Sequence, residues 1–99
     1  MADDPDFAAA PFQPDEALQR LTRDLRALGL AERDGRFERR GLAVARAAVQ
    51  GGTLSAARVK QPRRTGPEWL TRVLHNNADV RDFVADLKKH LPLWSDRDD

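Results

Sequence analysis

Apolar residues recur at helical spacing near both ends of the chain. The N-terminal stripe consists of Leu18, Leu21, Leu25 and Leu28. Intervals of three and four residues place these side chains on one face of a helix. Pro14 suits the first turn of such a helix, and Gly29 suits the left-handed position that follows the last turn. The pattern predicts a helix over residues 14–28.

The C-terminal stripe consists of Val80, Phe83, Val84, Leu87 and Leu91. Asn76 or Asn77 can cap this helix, and Asp79 in its first turn suits the positive end of the helix dipole. Because proline lacks an amide hydrogen, Pro92 is expected to end the helix. The pattern predicts a helix over residues 77–91, after which Leu93 and Trp94 fold back onto the domain.

The middle of the chain carries two turn signals and an ambiguous apolar pattern. Asp34-Gly35 and Gly51-Gly52 are typical of two-residue β-hairpin turns. Alternating apolar residues between these turns lose their phase near Arg46, where a β-bulge would restore it. The alternative is a helix ending at Gly51, because alanine favours helix and several apolar residues there also lie at helical spacing. Residues 67–75 fit either a helical turn or a strand.

These patterns favour an α+β fold over an all-α bundle. We expect an N-terminal helix, a short antiparallel β-meander and a C-terminal helix, with both helices packed on one face of the sheet. The expected organisation is an acidic, proline-containing disordered tail (1–13), one globular domain (14–94) and an acidic C-terminal tail (95–99).

Charge is distributed unevenly in this chain of 99 residues, although the net charge is only +1. Five acidic residues precede the first base, Arg20, and three aspartates lie in the last four positions. Between residues 39 and 67 there are seven bases and no acid. The chain therefore has acidic ends and a basic middle.

Composition also excludes several classes of protein. The chain has no cysteine, so it offers neither disulfides nor thiolate chemistry. It has no apolar run long enough for a membrane span and no secretory leader pattern. We therefore expect a cytoplasmic protein without a membrane partner. Abundant alanine and arginine, with little lysine, are typical of a GC-rich bacterial genome.

Two short segments resemble parts of bacterial DNA-binding regulators. Residues 21–39, LTRDLRALGLAERDGRFER, resemble the recognition helix and wing of a winged-helix regulator. That family has two further helices upstream, which the 13 proline-containing residues before Pro14 do not supply. Residues 51–58, GGTLSAAR, resemble the first helix of the helix-turn-helix in LysR-type regulators. The long segment with Pro62 and Pro67 that follows departs from the short turn of that family.

No arrangement of residues indicates catalysis or a cofactor. The chain lacks nucleophile-elbow, phosphate-loop, dinucleotide-binding and zinc-protease motifs. His75 and His90 are fifteen positions apart, and without cysteines they do not make a tetrahedral zinc site. We therefore expect a non-enzymatic binding protein without a metal or cofactor.

The basic middle supplies the candidate binding residues. Cations neutralise phosphates and an aromatic face can stack on a base, which favours nucleic acid as the partner. The alternative is that these bases form a solvated surface and that Trp69 belongs to the core. The acidic ends of the chain would oppose phosphate binding. The predicted binding residues are Arg39, Arg40, Arg46, Arg58, Lys60, Arg63, Arg64 and Trp69.

A protein partner or a second copy of the chain is the alternative to nucleic acid. Val73, Leu74, Leu93 and Trp94 lie in segments that a domain of this size need not cover completely. An exposed patch of such residues would mark an interface. If Trp94 instead fills the gap between the two helices, these residues belong to the core.

Overall fold

The computed structural model describes residues 12–96 and has the expected α+β fold, not an all-α bundle. The predicted tails, 1–13 and 95–99, lie outside the described residues except for 12–13 and the backbone of 95–96. The elements in chain order are α1 (Pro14–Ala27), β1 (Ala31–Arg33), β2 (Arg36–Arg39), β3 (Leu42–Gln50), β4 (Thr53–Val59), β5 (Trp69–Leu74) and α2 (Asn77–Asp96).

The five strands form one antiparallel sheet in the order β1-β2-β3-β4-β5. Three of its connections are two-residue turns in which both residues have positive φ, as type I′ turns require. Two of them, Asp34-Gly35 and Gly51-Gly52, were predicted from sequence. The third, Arg40-Gly41, was not, because arginine rarely adopts the φ of 55° that Arg40 has here.

Residues 42–61 are mostly strand, so the helical alternative for this segment is wrong. The resemblance of residues 51–58 to a regulator helix is wrong for the same reason. The expected β-bulge is present, but it lies at Val44 rather than near Arg46. Phe37 opposes Ala45 and Glu38 opposes Ala43, which leaves Val44 without a partner. The extra residue allows consecutive Val44 and Ala45 both to be buried.

Both helices pack on the sheet. α1 lies against β3 and β4, and α2 lies against α1 and β5. Leu21, Leu25 and Leu87 are fully buried between them, together with Phe37 and Phe83 from the sheet and α2. The predicted apolar stripes of the two helices therefore form the core of a single small domain.

The α2 helix begins as expected but ends later. The Asn76 side chain caps it by accepting a hydrogen bond from the Asp79 amide at 2.8 Å. The helix continues through Pro92, so the predicted end at residue 91 is wrong. Trp94 explains the extension, because the extra turn buries its indole to 8% exposure against the core. This burial offsets the backbone hydrogen bond that Pro92 cannot make.

Candidate nucleic-acid interface

The two faces of the sheet have different surroundings. Directly paired residues share a face, and side chains alternate along each strand. Phe37, Ala45 and Ala47 are buried on the face that the helices cover. Arg46 and Ala48 project from the other face and are exposed. We call this second face the open face, because no described helix packs on it.

The predicted bases do not all lie on the open face or its rim, as a single binding surface would require. Because side chains alternate along a strand, Arg39 and Arg58 lie on the helix-covered face, where both contact α2. Arg39 donates a hydrogen bond to the carbonyl oxygen of Leu91 at 2.8 Å. Arg58 pairs with Asp86, and its side chain is only 15% exposed. These two arginines fix α2 to the sheet and do not belong to the open face.

We therefore expect Arg58→Ala to lower the free energy of unfolding by about 1–3 kcal/mol, because it leaves a partly covered carboxylate without its partner. Arg72 is the matched control, since it is an exposed arginine on the adjacent strand. Arg72→Ala should change stability by less than about 0.5 kcal/mol. Urea unfolding of the two variants measures the difference. Equal midpoints would show that the Arg58–Asp86 pair does not stabilise the fold.

Four other predicted bases lie at one end of the sheet. In a meander, the β2–β3 turn and the β4–β5 connection emerge at the same end of the sheet, so Arg40 and the segment from Lys60 to Glu68 both lie there. Lys60 is 3.9 Å from Glu68, but both side chains are largely exposed, so this pair contributes little stability. Arg63 and Arg64 lie exposed on the connection itself. A recess of about 430 Å³ is lined by Lys60, Gln61, Arg63 and Glu68.

Arg46 and Trp69 meet on the open face. The Arg46 guanidinium carbon lies 4.3 Å from the centre of the Trp69 ring, a cation–π contact across strand β4. Ala57 is the β4 residue opposite Arg46, and its small side chain lets the two larger ones approach each other. Ala57 is only 1% exposed although no helix covers it. Trp69 is partly buried against the core. It therefore combines the two roles that the sequence left open, because one part of its ring packs on the core and another part lies at the surface.

Sequence reasoning missed two arginines that belong beside Arg46. Arg33 pairs with Arg36, and Arg36 pairs with Arg46, so the three lie in one line across β1, β2 and β3. We call these residues the arginine row. The signal was present in the sequence, because the residues that flank a two-residue turn are direct partners. Arg33 and Arg36 flank Asp34-Gly35 in this way.

The arginine row is exposed and has no acidic partner among the described side chains. All three side chains are exposed, and none forms an ion pair within residues 12–94. Adjacent residues in such a row are about 5 Å apart, so three positive charges share a strip roughly 10 Å long. Like charges directly opposite each other destabilise a sheet. The row therefore has a cost in stability that an anionic ligand would remove.

The other polar and aromatic side chains of the described residues do not form the cluster of ligands that a metal site requires. Within them, no three His, Cys, Asp or Glu side chains come together in a way that could hold a metal ion. His90 lies over Trp94, with ring centres 5.8 Å apart, and its Nδ1 lies 2.8 Å from the Asp86 carbonyl oxygen. Neither described helix is apolar over a bilayer-spanning length.

The helix and hairpin of residues 21–39 follow the order that their resemblance to winged-helix regulators implies. In this fold, however, α1 packs its apolar face on the sheet, and the hairpin is the edge of that sheet rather than a free wing. Comparison with protein-family models, with curated proteins and with solved structures finds no match to the chain.

Proposed function

We propose that this chain is a non-enzymatic protein that binds nucleic acid through the open face of its sheet. The observation that carries the proposal is the arginine row, which places three exposed arginines in register without acidic partners in the described chain. Such a strip suits the phosphates of a nucleic-acid backbone, whose binding releases condensed counterions.

The surroundings of the row favour a single strand over a duplex. The residues beside Arg46 along the open face are small, including Ala48, Ala57 and Thr71, whereas Glu38 lies two residues from Arg36 on the same face. Among the described residues, no helix projects from this face to enter a groove. Arg46 is held over the Trp69 ring. A guanidinium held in this way offers a plane on which an unpaired base can stack. Arg63 and Arg64 at the end of the sheet extend the positive surface.

The direct test is a titration with generic single-stranded and double-stranded DNA and RNA, followed by tryptophan fluorescence. Trp69 lies at the proposed surface, whereas Trp94 is buried on the helix side and serves as an internal reference. We expect single strands to change the emission and to bind more tightly than duplexes. We expect Trp69→Phe to abolish the change. Absence of binding to every nucleic acid at ~50 mM salt would reject the proposal.

A further inference from the structure

The two edges of the sheet differ in how well they are protected. β1 has three residues, two of them charged, and such short charged edges resist pairing with other strands. β5 has six residues, and its exposed side chains include Leu70 at 45% and Val73 at 43%. Within β5 the one charged residue is Arg72. Among the described residues, the β5 edge is therefore less protected against strand addition than the β1 edge.

The backbone groups that β5 directs outward can be identified from one hydrogen bond. The Lys60 amide donates to the Glu68 carbonyl oxygen at 2.9 Å, so the peptide groups of Glu68 face β4. The direction of these groups alternates along a strand. The amide and carbonyl groups of Trp69, Thr71 and Val73 therefore face away from the sheet, where a further strand can pair with them.

We infer that β5 pairs antiparallel with β5 of a second copy of this chain, about a two-fold axis at Thr71. A two-fold axis perpendicular to the sheet makes each interface residue face its symmetry mate or an equivalent position. With Thr71 opposite Thr71, Trp69 lies opposite Val73, and all three outward-facing residues exchange backbone hydrogen bonds. Trp69 and Val73 also form an apolar cross-strand pair on the open face.

The neighbouring registers are less favourable for reasons that lie in the sequence. A shift toward the C-terminus places Arg72 directly opposite Arg72, which is repulsive. A shift toward the N-terminus places Pro67 opposite Val73, where proline has no amide hydrogen to donate. In the Thr71 register, Arg72 of each copy lies opposite Leu70 of the other. The two Arg72 residues are then diagonal rather than directly opposite, and the exposed Glu68 of the other copy is the second diagonal neighbour of each, which offsets their repulsion.

This register also aligns the proposed binding surfaces. Thr71 lies in the same cross-strand line as Arg46 and Ala57. Pairing at Thr71 therefore makes one ten-stranded sheet in which this cross-strand line continues from one copy into the other. An arginine row then lies near each end of the sheet, and all four helices lie on one side. The role of this arrangement in nucleic-acid binding rests on the proposed function, whereas the dimer itself does not.

Sedimentation equilibrium of the full chain, without nucleic acid, tests the inference from micromolar to millimolar concentration. We expect a monomer–dimer equilibrium whose dissociation constant rises roughly tenfold or more in Thr71→Lys, because the two lysines would face each other at the axis. Ala48→Lys is the matched control, since it adds the same charge to the open face away from the edge, and it should leave the constant unchanged.

Cross-linking tests the register. The natural chain has no cysteine, so Thr71→Cys introduces a single thiol at the axis, where paired Cα atoms about 5.5 Å apart suit a disulfide. Under oxidation most of this variant should form a covalent dimer, and Ser55→Cys, on the interior strand β4, should not. The inference would be overturned by a wild-type chain that stays monomeric. It would also be overturned by a dimer whose dissociation constant is unchanged in Thr71→Lys and that does not cross-link in Thr71→Cys. Neither result would affect the nucleic-acid proposal, which has its own test.

Discussion

Replacing Arg33, Arg36 and Arg46 together by alanine is expected to weaken the binding of single-stranded nucleic acid by roughly 10²–10³-fold at ~50 mM salt. Each phosphate contact contributes about one order of magnitude there through counterion release. The variant should change stability by less than about 1 kcal/mol, because relief of the like charges that face each other offsets the lost cation–π contact between Arg46 and Trp69. Fluorescence titration and urea unfolding of the same preparation measure both effects.

A second triple variant controls for net charge. Arg23, Arg26 and Arg81 are exposed arginines on the two helices, away from the open face. Replacing them by alanine removes the same total charge, and it should reduce affinity by less than about threefold, through the long-range field alone. If the two triple variants weaken binding equally, the arginine row is not the contact surface and only the overall charge matters.

Gly35→Ala is expected to lower the free energy of unfolding by about 2–5 kcal/mol. Gly35 has a φ of 81°, and an added Cβ would lie 2.9 Å from the backbone oxygen of Ala47. The Gly35 carbonyl also accepts the Ala47 amide at 2.9 Å, so the clash cannot be relieved without disturbing this bond. Urea unfolding measures the loss.

Gly52 separates the clash from the backbone strain. Its φ of 85° is similar, but an added Cβ there would meet nothing within 4 Å. Gly52→Ala should therefore cost only about 1–2 kcal/mol, the left-handed backbone strain. The difference between the two variants reports how tightly the β1–β2 turn, which holds Arg33 opposite Arg36, packs against β3. Equal losses would mean that the turn can move away from Ala47 freely.

Local patterns were sufficient to predict the helices and two of the hairpins. Leu21 and Leu25 lie on one helical face and are fully buried, and Asp34-Gly35 forms the turn that its residues favour. The end of α2 was predicted wrongly because Pro92 was weighed alone. The burial of Trp94 against distant residues outweighs one missing hydrogen bond, and that burial is visible only in the folded chain.

The candidate site was less predictable, because faces depend on long-range packing. Arg58 belongs to the basic segment, yet it points toward Asp86, 28 residues away on α2. Arg33 and Arg36 were not predicted because Glu32, Asp34 and Glu38 surround them in the sequence. The predicted basic segment was defined by the absence of acidic residues, and this criterion excludes both arginines. Only pairing across strands shows that their neighbours in space are one another and Arg46.

The salt dependence of binding tests most directly whether the arginine row contacts phosphates. The slope of log K against log salt counts the phosphates neutralised, at about 0.7 per contact on a single strand. The wild-type slope should exceed that of the row variant by about two units, since three contacts are lost. The helix variant, lacking Arg23, Arg26 and Arg81, should keep the wild-type slope. Identical slopes for the wild type and the row variant would contradict the assignment of the open face as the nucleic-acid interface.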